Sequence, residues 1–280
     1  MFENNESIID FRQGTNHPCS FLYSEIYSNA LLNGKLEDGR LQPGFSLKSK
    51  SPFVLAAKRA VLFGVEKENA INEMEKVFTK YYEMVRPQSA AEWLGLDLAL
   101  TNKLAVSPPW AAVFPWRART LASYRQAYEE AALKDNLAVG VSLGIKKGWF
   151  FCGPVSFEKI KIEALRMAYV LRQISEEGYQ RSNSSDGDVK ATALVDDTNQ
   201  WRWLITSGTH RASAASALGY EEIPIRVNLV IRRMDAAYWP NVVNGLYNEV
   251  NALKVFDSYF NGVASPVTDK WISSEFANNN

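Results

Sequence analysis

The sequence is short of the residues that staple small folds. Its 280 residues include two cysteines, Cys19 and Cys152, and two histidines, His17 and His210. Two cysteines so far apart indicate no disulfide framework and fit a reducing compartment. The chain also lacks a charge excess, with 31 basic and 31 acidic residues. Phosphate contacts supply most of the affinity of a dedicated nucleic-acid binder, so the balance argues against nucleic acid as the main partner and leaves only a local basic patch. Long hydrophobic runs are missing. The longest, Phe53 to Val65, is broken by Lys58 and Arg59 and is too short for a bilayer. The start, Met1-Phe2-Glu3-Asn4-Asn5-Glu6, has neither the basic opening nor the apolar core of a signal peptide. A cytoplasmic protein without a membrane span is expected. No internal repeat is present.

What is there is ordinary for a globular protein: 46% hydrophobic and 22% charged residues. The length suffices for one large domain or two modest ones. Residues 1–50 are polar and turn-rich, and predict loops with one short helix. From Pro52 to about Arg86 the pattern is helical, with Ile71, Met74, Val77, Tyr81 and Val85 on one face, until Pro87 stops it. A short helix is expected within Ala90 to Leu104, and another from Thr120 to about Lys134. The segments around Pro108-Pro109-Trp110 and Phe114-Pro115-Trp116 read as rigid connections. Gly140, Gly144 and Gly148 mark a change of architecture. The reading divides the chain into a mainly helical region, 1–148, and a second domain, 149–280.

The second half opens with an amphipathic helix. Ser156 is a good N-cap, the apolar face is Ile160, Ala164, Met167, Leu171 and Ile174, and Glu176-Glu177-Gly178 ends it. Arg181 to Asp188 reads as a mobile loop. Strands are expected at Ala191–Val195 and Trp201–Thr206, joined by the turn Asp196-Asp197-Thr198-Asn199. After Ser207-Gly208-Thr209-His210-Arg211 come an Ala-rich helix ending at Gly219, a strand from Ile223 to Ile231, and helix from Asp235 to Gly262.

The strand–turn–helix at Ser207 to Arg211 carries the chemistry. The first N–H groups of a helix have no internal partners and favour an anion. Gly208 lets backbone approach a phosphate, Thr209 offers a cap or a hydroxyl, Arg211 offers a fork, and His210 donates or titrates near neutrality. The competing reading is a glycine and a threonine cap that serve folding alone, followed by a solvated arginine.

The run Trp203 to Gly219 followed by Ile223-Pro224-Ile225-Arg226-Val227 resembles the core of the ParB/sulfiredoxin superfamily: an apolar strand, a Gly-x-His-Arg turn, an Ala-rich helix, Leu-Gly and Ile-Pro-Val. Ile174-Ser175-Glu176-Glu177-Gly178 fits the upstream helix end. The resemblance covers roughly residues 149–235. It implies an α+β fold, with a small mixed sheet and helices preceded by a largely helical N-terminal region.

It also implies nucleotide handling. Thr209 stands where sulfiredoxin needs its cysteine, and partition proteins favour Gly-Glu-Arg-Arg with a basic DNA-binding section. The Gly-x-His-Arg form is closer to the kinase and sulfiredoxin branches. The expected function is an ATP- or ADP-dependent kinase acting, with Mg²⁺, on a small-molecule or glycan hydroxyl. The alternative is a nucleotide-binding switch or DNA-binding ParB-like protein.

Ser207, Gly208, Thr209, His210 and Arg211 are the expected nucleotide-binding residues, with Lys159 added because Pro154 to Ile160 resembles the sulfiredoxin helix start. His210 and Glu158 are the catalytic candidates, and Asp186 and Asp188 are further carboxylates near the hairpin. The simpler reading of Lys159, Glu158, Asp186 and Asp188 is surface charge. Arg232, Arg233 and Trp239 are weaker candidates for anion or base contacts. Trp110, Trp116, Tyr124 and Tyr128 read as core that also shapes a substrate cleft. No metal ligand is assigned.

Overall fold

A computed structural model describes residues 7–65, 68–181 and 188–276. In chain order the strands and α-helices are β1 (Ile8–Asp10), β2 (Asn29–Lys35), β3 (Gly39–Leu41), β4 (Phe45–Ser46), α1 (Pro52–Phe63), α2 (Glu68–Met84), α3 (Ala90–Trp93), α4 (Leu121–Leu137), α5 (Phe157–Glu177), β5 (Val189–Val195), β6 (Trp201–Ser207), α6 (Thr209–Ala217), β7 (Glu222–Arg232), α7 (Pro240–Val243), α8 (Glu249–Asn261) and α9 (Asp269–Phe276).

The fold is α+β, built on one mixed sheet of seven strands in the order β1-β2-β7-β5-β6-β3-β4. The centre follows the expected pattern. β5 and β6 form an antiparallel hairpin, Ala193 opposite Trp203, and β7 lies parallel to β5. At its turn Asp196 Oδ1 accepts from the backbone N–H of Thr198 at 2.9 Å and of Gln200 at 2.8 Å, with Asn199 at φ 63°.

Residues 1–50 differ from the expectation of loops. They supply four strands: β2 pairs antiparallel with β7, and β3 pairs parallel with β6. The reason is burial on both faces. Asn29 to Leu32 are all buried, so β2 shows no apolar–polar alternation to read. Because strands from 8–46 and from 189–232 interleave in one sheet over one hydrophobic core, the change of architecture at 140–148 separates neither two sheets nor two cores.

The helix from Pro52 is two helices, broken at Gly64 with φ 87°. The helix expected within 90–104 is one turn, and the stretch from Asp235 is a 3-10 segment followed by α7 and α8. α5 follows its expected pattern, with Ser156 Oγ accepting from the Lys159 N–H and Gly178 at φ 75° past its end.

Alternation sends Trp203 and Arg202 to opposite faces of the sheet. On the Trp203 face lies α6, whose Ser216 Oγ donates to Leu47 O at 2.7 Å, with α1 and α5 packed against it and α2 against those two helices. On the other face lies α8, whose Phe260 ring sits 5.1 Å from the Arg202 guanidinium.

Arg40 of β3 secures α8. It is 5% exposed, and its Nε and Nη2 donate to Tyr259 O at 3.0 Å and Phe260 O at 2.9 Å, while Nη1 donates to Glu37 O at 2.7 Å. A guanidinium at a helix C-terminus satisfies carbonyls that have no helical partner and complements the dipole. Replacing Arg40 with Met keeps bulk but orphans these carbonyls, and is expected to lower stability by about 2–4 kcal/mol. Urea unfolding measures this; a loss within experimental error would show that α8 does not depend on the contact.

Candidate functional site

The turn between β6 and α6 starts from a backbone requirement. Gly208 is the N-cap of α6 at φ 87°, ψ 27°, a left-handed conformation that costs an L side chain about 1–2 kcal/mol. A Cβ there would also stand 3.1 Å from the Val189 Cα. Glycine is required by conformation before any ligand is considered.

Thr209, read as a cap or hydroxyl donor, is not the cap. It is the first helical residue, 6% exposed, and α6 has no side-chain cap. Ala212 N–H already returns to Gly208 O at 3.0 Å, so the N–H groups free to meet an anion are those of Thr209, His210 and Arg211. Ser207 is exposed at the end of β6.

Arg211 is half-buried, and its Nη1 is buried with no hydrogen-bond partner among the described residues. Near it, burial pushes the Tyr179 phenol up; the Arg211 charge opposes this and the Asp188 charge adds to it. Asp188 is not a surface carboxylate. It pairs with Arg226 at 2.8 Å and Arg181 at 3.5 Å, fully buried itself. Asp186 lies outside the described residues.

Lys159 does not face the turn as a free point charge, and it is not solvated either. It is 4% exposed, with Nζ 2.5 Å from Glu163 Oε1 and 2.7 Å from Asn136 Oδ1 of α4. Glu163 is the residue that sequence reasoning missed. It is 1% exposed, Arg166 Nη1 also reaches Oε1 at 2.9 Å, and His210 Nε2 stands 3.0 Å from Oε2. The structure thus joins Lys159 to His210 through Glu163.

Glu158 is not part of this group: it lies on the exposed side of α5. The signal for Glu163 was present, since it falls between Ile160 and Met167 on the apolar stripe, four residues after Lys159. A carboxylate there must be paired.

The electrostatics follow from this geometry. Burial works to raise the Glu163 carboxyl, but the contact with His210 and the charges of His210, Lys159 and Arg166 hold it down to about 2. His210 lies among aromatic rings: Phe53 meets it edge-on at 5.8 Å and Phe150 is roughly parallel at 6.3 Å. Its ring position is therefore fixed from three sides, with Nε2 buried.

Other candidates fall outside the site. Arg232 pairs with Asp235 at 2.8 Å, and Arg233 with Asp257 at 2.7 Å and Asp197 at 2.8 Å. Trp239 is buried against Trp116 and Phe256. Cys152 is buried, with its thiol pushed far above the ordinary range by burial. An open groove of ≈ 720 Å³ runs along α2, lined by Glu73, Lys76, Lys80 and Phe157 among others, but it includes none of the turn residues. No helix among the described residues is long and apolar enough to cross a membrane.

Glu163→Gln leaves Lys159 and Arg166 beside a neutral amide, and is expected to cost about 3–5 kcal/mol. The pH dependence has a defined sign. The folded-state value of Glu163 lies below its ordinary value of 4.5, so its contribution is complete above about pH 4.5 and is lost as the pH falls toward 2. Urea midpoints should fall through that window more steeply in the wild type than in Glu163→Gln; parallel curves would remove Glu163 as the cause.

No family model, no curated protein and no solved structure matches the chain.

Proposed function

We propose that the turn Ser207 to Arg211 binds a nucleotide phosphate, and that the protein is an ATP- or ADP-dependent phosphotransferase acting on a small-molecule or glycan hydroxyl. One observation carries this reading: the N-terminus of α6 has no side-chain cap, and the arginine on its first turn has a buried Nη1 without a partner. An uncapped helix start with free amides suits phosphate, and a guanidinium fork suits its oxygens. The resemblance of Trp203 to Val227 to the ParB/sulfiredoxin core points the same way.

In this reading the amides of Thr209, His210 and Arg211, the Arg211 guanidinium and the Ser207 hydroxyl hold the phosphates. The nucleotide supplies the phosphoryl group. His210, whose Nε2 stands 3.0 Å from Glu163 Oε2, is the general acid–base candidate in this reading. Lys159 acts at one remove, since its charge is spent on Glu163 rather than on phosphate. Among the described residues no group of three His, Cys, Asp or Glu side chains is placed to hold a metal. A Mg²⁺ would therefore be held mainly by phosphate oxygens and water, its usual manner with nucleotides.

Calorimetric titration of ATP, ADP and CTP with Mg²⁺ tests the reading. Arg211→Ala removes charge-assisted bonds and is expected to weaken ATP or ADP binding by about 10–100-fold. Folded wild type that binds no nucleotide would end the proposal. Preferred CTP binding without phosphate transfer would move the protein to the switch class.

A further inference from the structure

The charges around His210 do not cancel. Glu163 Oε1 is taken by Lys159 Nζ at 2.5 Å and Arg166 Nη1 at 2.9 Å, and Oε2 is left for His210 Nε2 at 3.0 Å. One carboxylate thus faces two fixed cations and an imidazole. With His210 neutral the group has one positive charge too many, and with His210 protonated it has two. Arg211, the next residue, and the positive end of α6 add to the excess.

His210 is placed to feel these charges. Its side chain is 18% exposed and lies between Phe53 of α1 and Phe150, so little water screens it. Nε2 has no aligned hydrogen bond, so its contact with Oε2 is one of charge, and a protonated ring gains more from it than a neutral one.

The groups packed around the ring keep their charge states near neutral pH. Asn136 of α4, which accepts from Lys159 Nζ, does not titrate. Burial raises the Tyr82 phenol of α2, and the Glu163 charge adds to it, so Tyr82 stays neutral. Glu163, although buried, is held down to about 2 by His210, Lys159 and Arg166. Among these groups, histidine is the type that changes charge near neutrality.

A ligand at the turn supplies the missing negative charge. A phosphate held by the amides of Thr209, His210 and Arg211 stands one side chain away from the imidazole, inside the screening distance of about 10 Å at moderate ionic strength. A dianion there offsets Arg211 and the helix end, and leaves Glu163 to favour the protonated ring.

We propose that an anion enters the turn together with a proton, taken up from solvent by His210, and that Glu163 is the positioning residue that holds the ring for it. This rests on the phosphate-binding reading of the turn and adds the regulation of that site. Since the bound form carries the extra proton, affinity for the anion falls as the pH rises through neutrality.

The test reads the ring directly. The chain has two histidines, His17 and His210, so proton–nitrogen NMR of the imidazoles gives two sets of signals, and His17→Gln assigns them. The full chain is titrated with acid and base, alone and saturated with ADP. The His210 midpoint should rise with ADP by about one pH unit, a tenfold coupling between proton and ligand. His17, whose Nε2 lies 2.9 Å from Asn199 O at the far end of the β5–β6 hairpin, should not move. Glu163→Gln should lower the His210 midpoint with and without ADP. If that variant does not fold, Arg166→Gln carries the test: removing a competing cation should raise the midpoint of the free protein.

ADP that binds, seen in the backbone amide signals, without raising the His210 midpoint overturns the proposal and leaves the phosphate reading standing. An unchanged midpoint in folded Glu163→Gln, or in Arg166→Gln, removes Glu163 as the positioning residue. Folded wild type whose amide signals do not respond to ADP overturns the phosphate reading, and this proposal with it.

Discussion

One buried carboxylate lies at the centre of the contacts that join α4, α5 and α6. Glu163 is 1% exposed, which no charged group sustains alone, and it is held by Lys159 and Arg166 on one oxygen and His210 on the other. Those partners belong to different places: Lys159 and Arg166 to α5, His210 to the first turn of α6. Asn136 extends the chain of contacts to α4. Three helices that share no local sequence signal are registered against each other by one ionised group. A pair of apolar side chains would fill the same space at less desolvation cost, so the network is better explained by the orientation it imposes on His210 than by stability.

The sheet supplies the second constraint. Its central hairpin and β7 set the direction of β6, and β6 delivers Ser207 and Gly208 to the start of α6. The strands from the first 50 residues then close the edges. β3 brings Arg40 to the end of α8. Close backbone approach matters here too: a Cβ at Gly153 would stand 1.8 Å from Tyr82 O, so the segment carrying Trp149 to Cys152 lies directly on the end of α2. That segment presents Phe150 to His210 and Trp149 to Tyr128.

How much of this was legible depended on range. α5, the β5–β6 hairpin, the turn and β7 are visible in the sequence because each rests on local rules: a serine cap, a glycine stop, an Asp-rich turn, apolar runs of strand length. Lys159 was misjudged because helix starts are exposed by default, and only the neighbouring Glu163 and the distant Asn136 make its burial tolerable. β2 was invisible because Asn29, Asn33 and Gly34 look like loop residues until β7 pairs with them. Trp116 and Tyr128 were legible as core, but the unmet Nε1 of Trp116 exists only once the rings have been packed.

The sequence by itself determined the secondary structure around the turn, since it follows from contacts within a few residues. Only the tertiary structure decided that strands from both ends of the chain share a sheet, that Arg40 secures the end of α8, and that Lys159, Glu163 and His210 form one buried network. Those outcomes depend on pairing and burial between residues far apart in the chain, from Glu163 with His210 to Arg40 with Tyr259, and burial is what gives a charge or an N–H its demand for a partner.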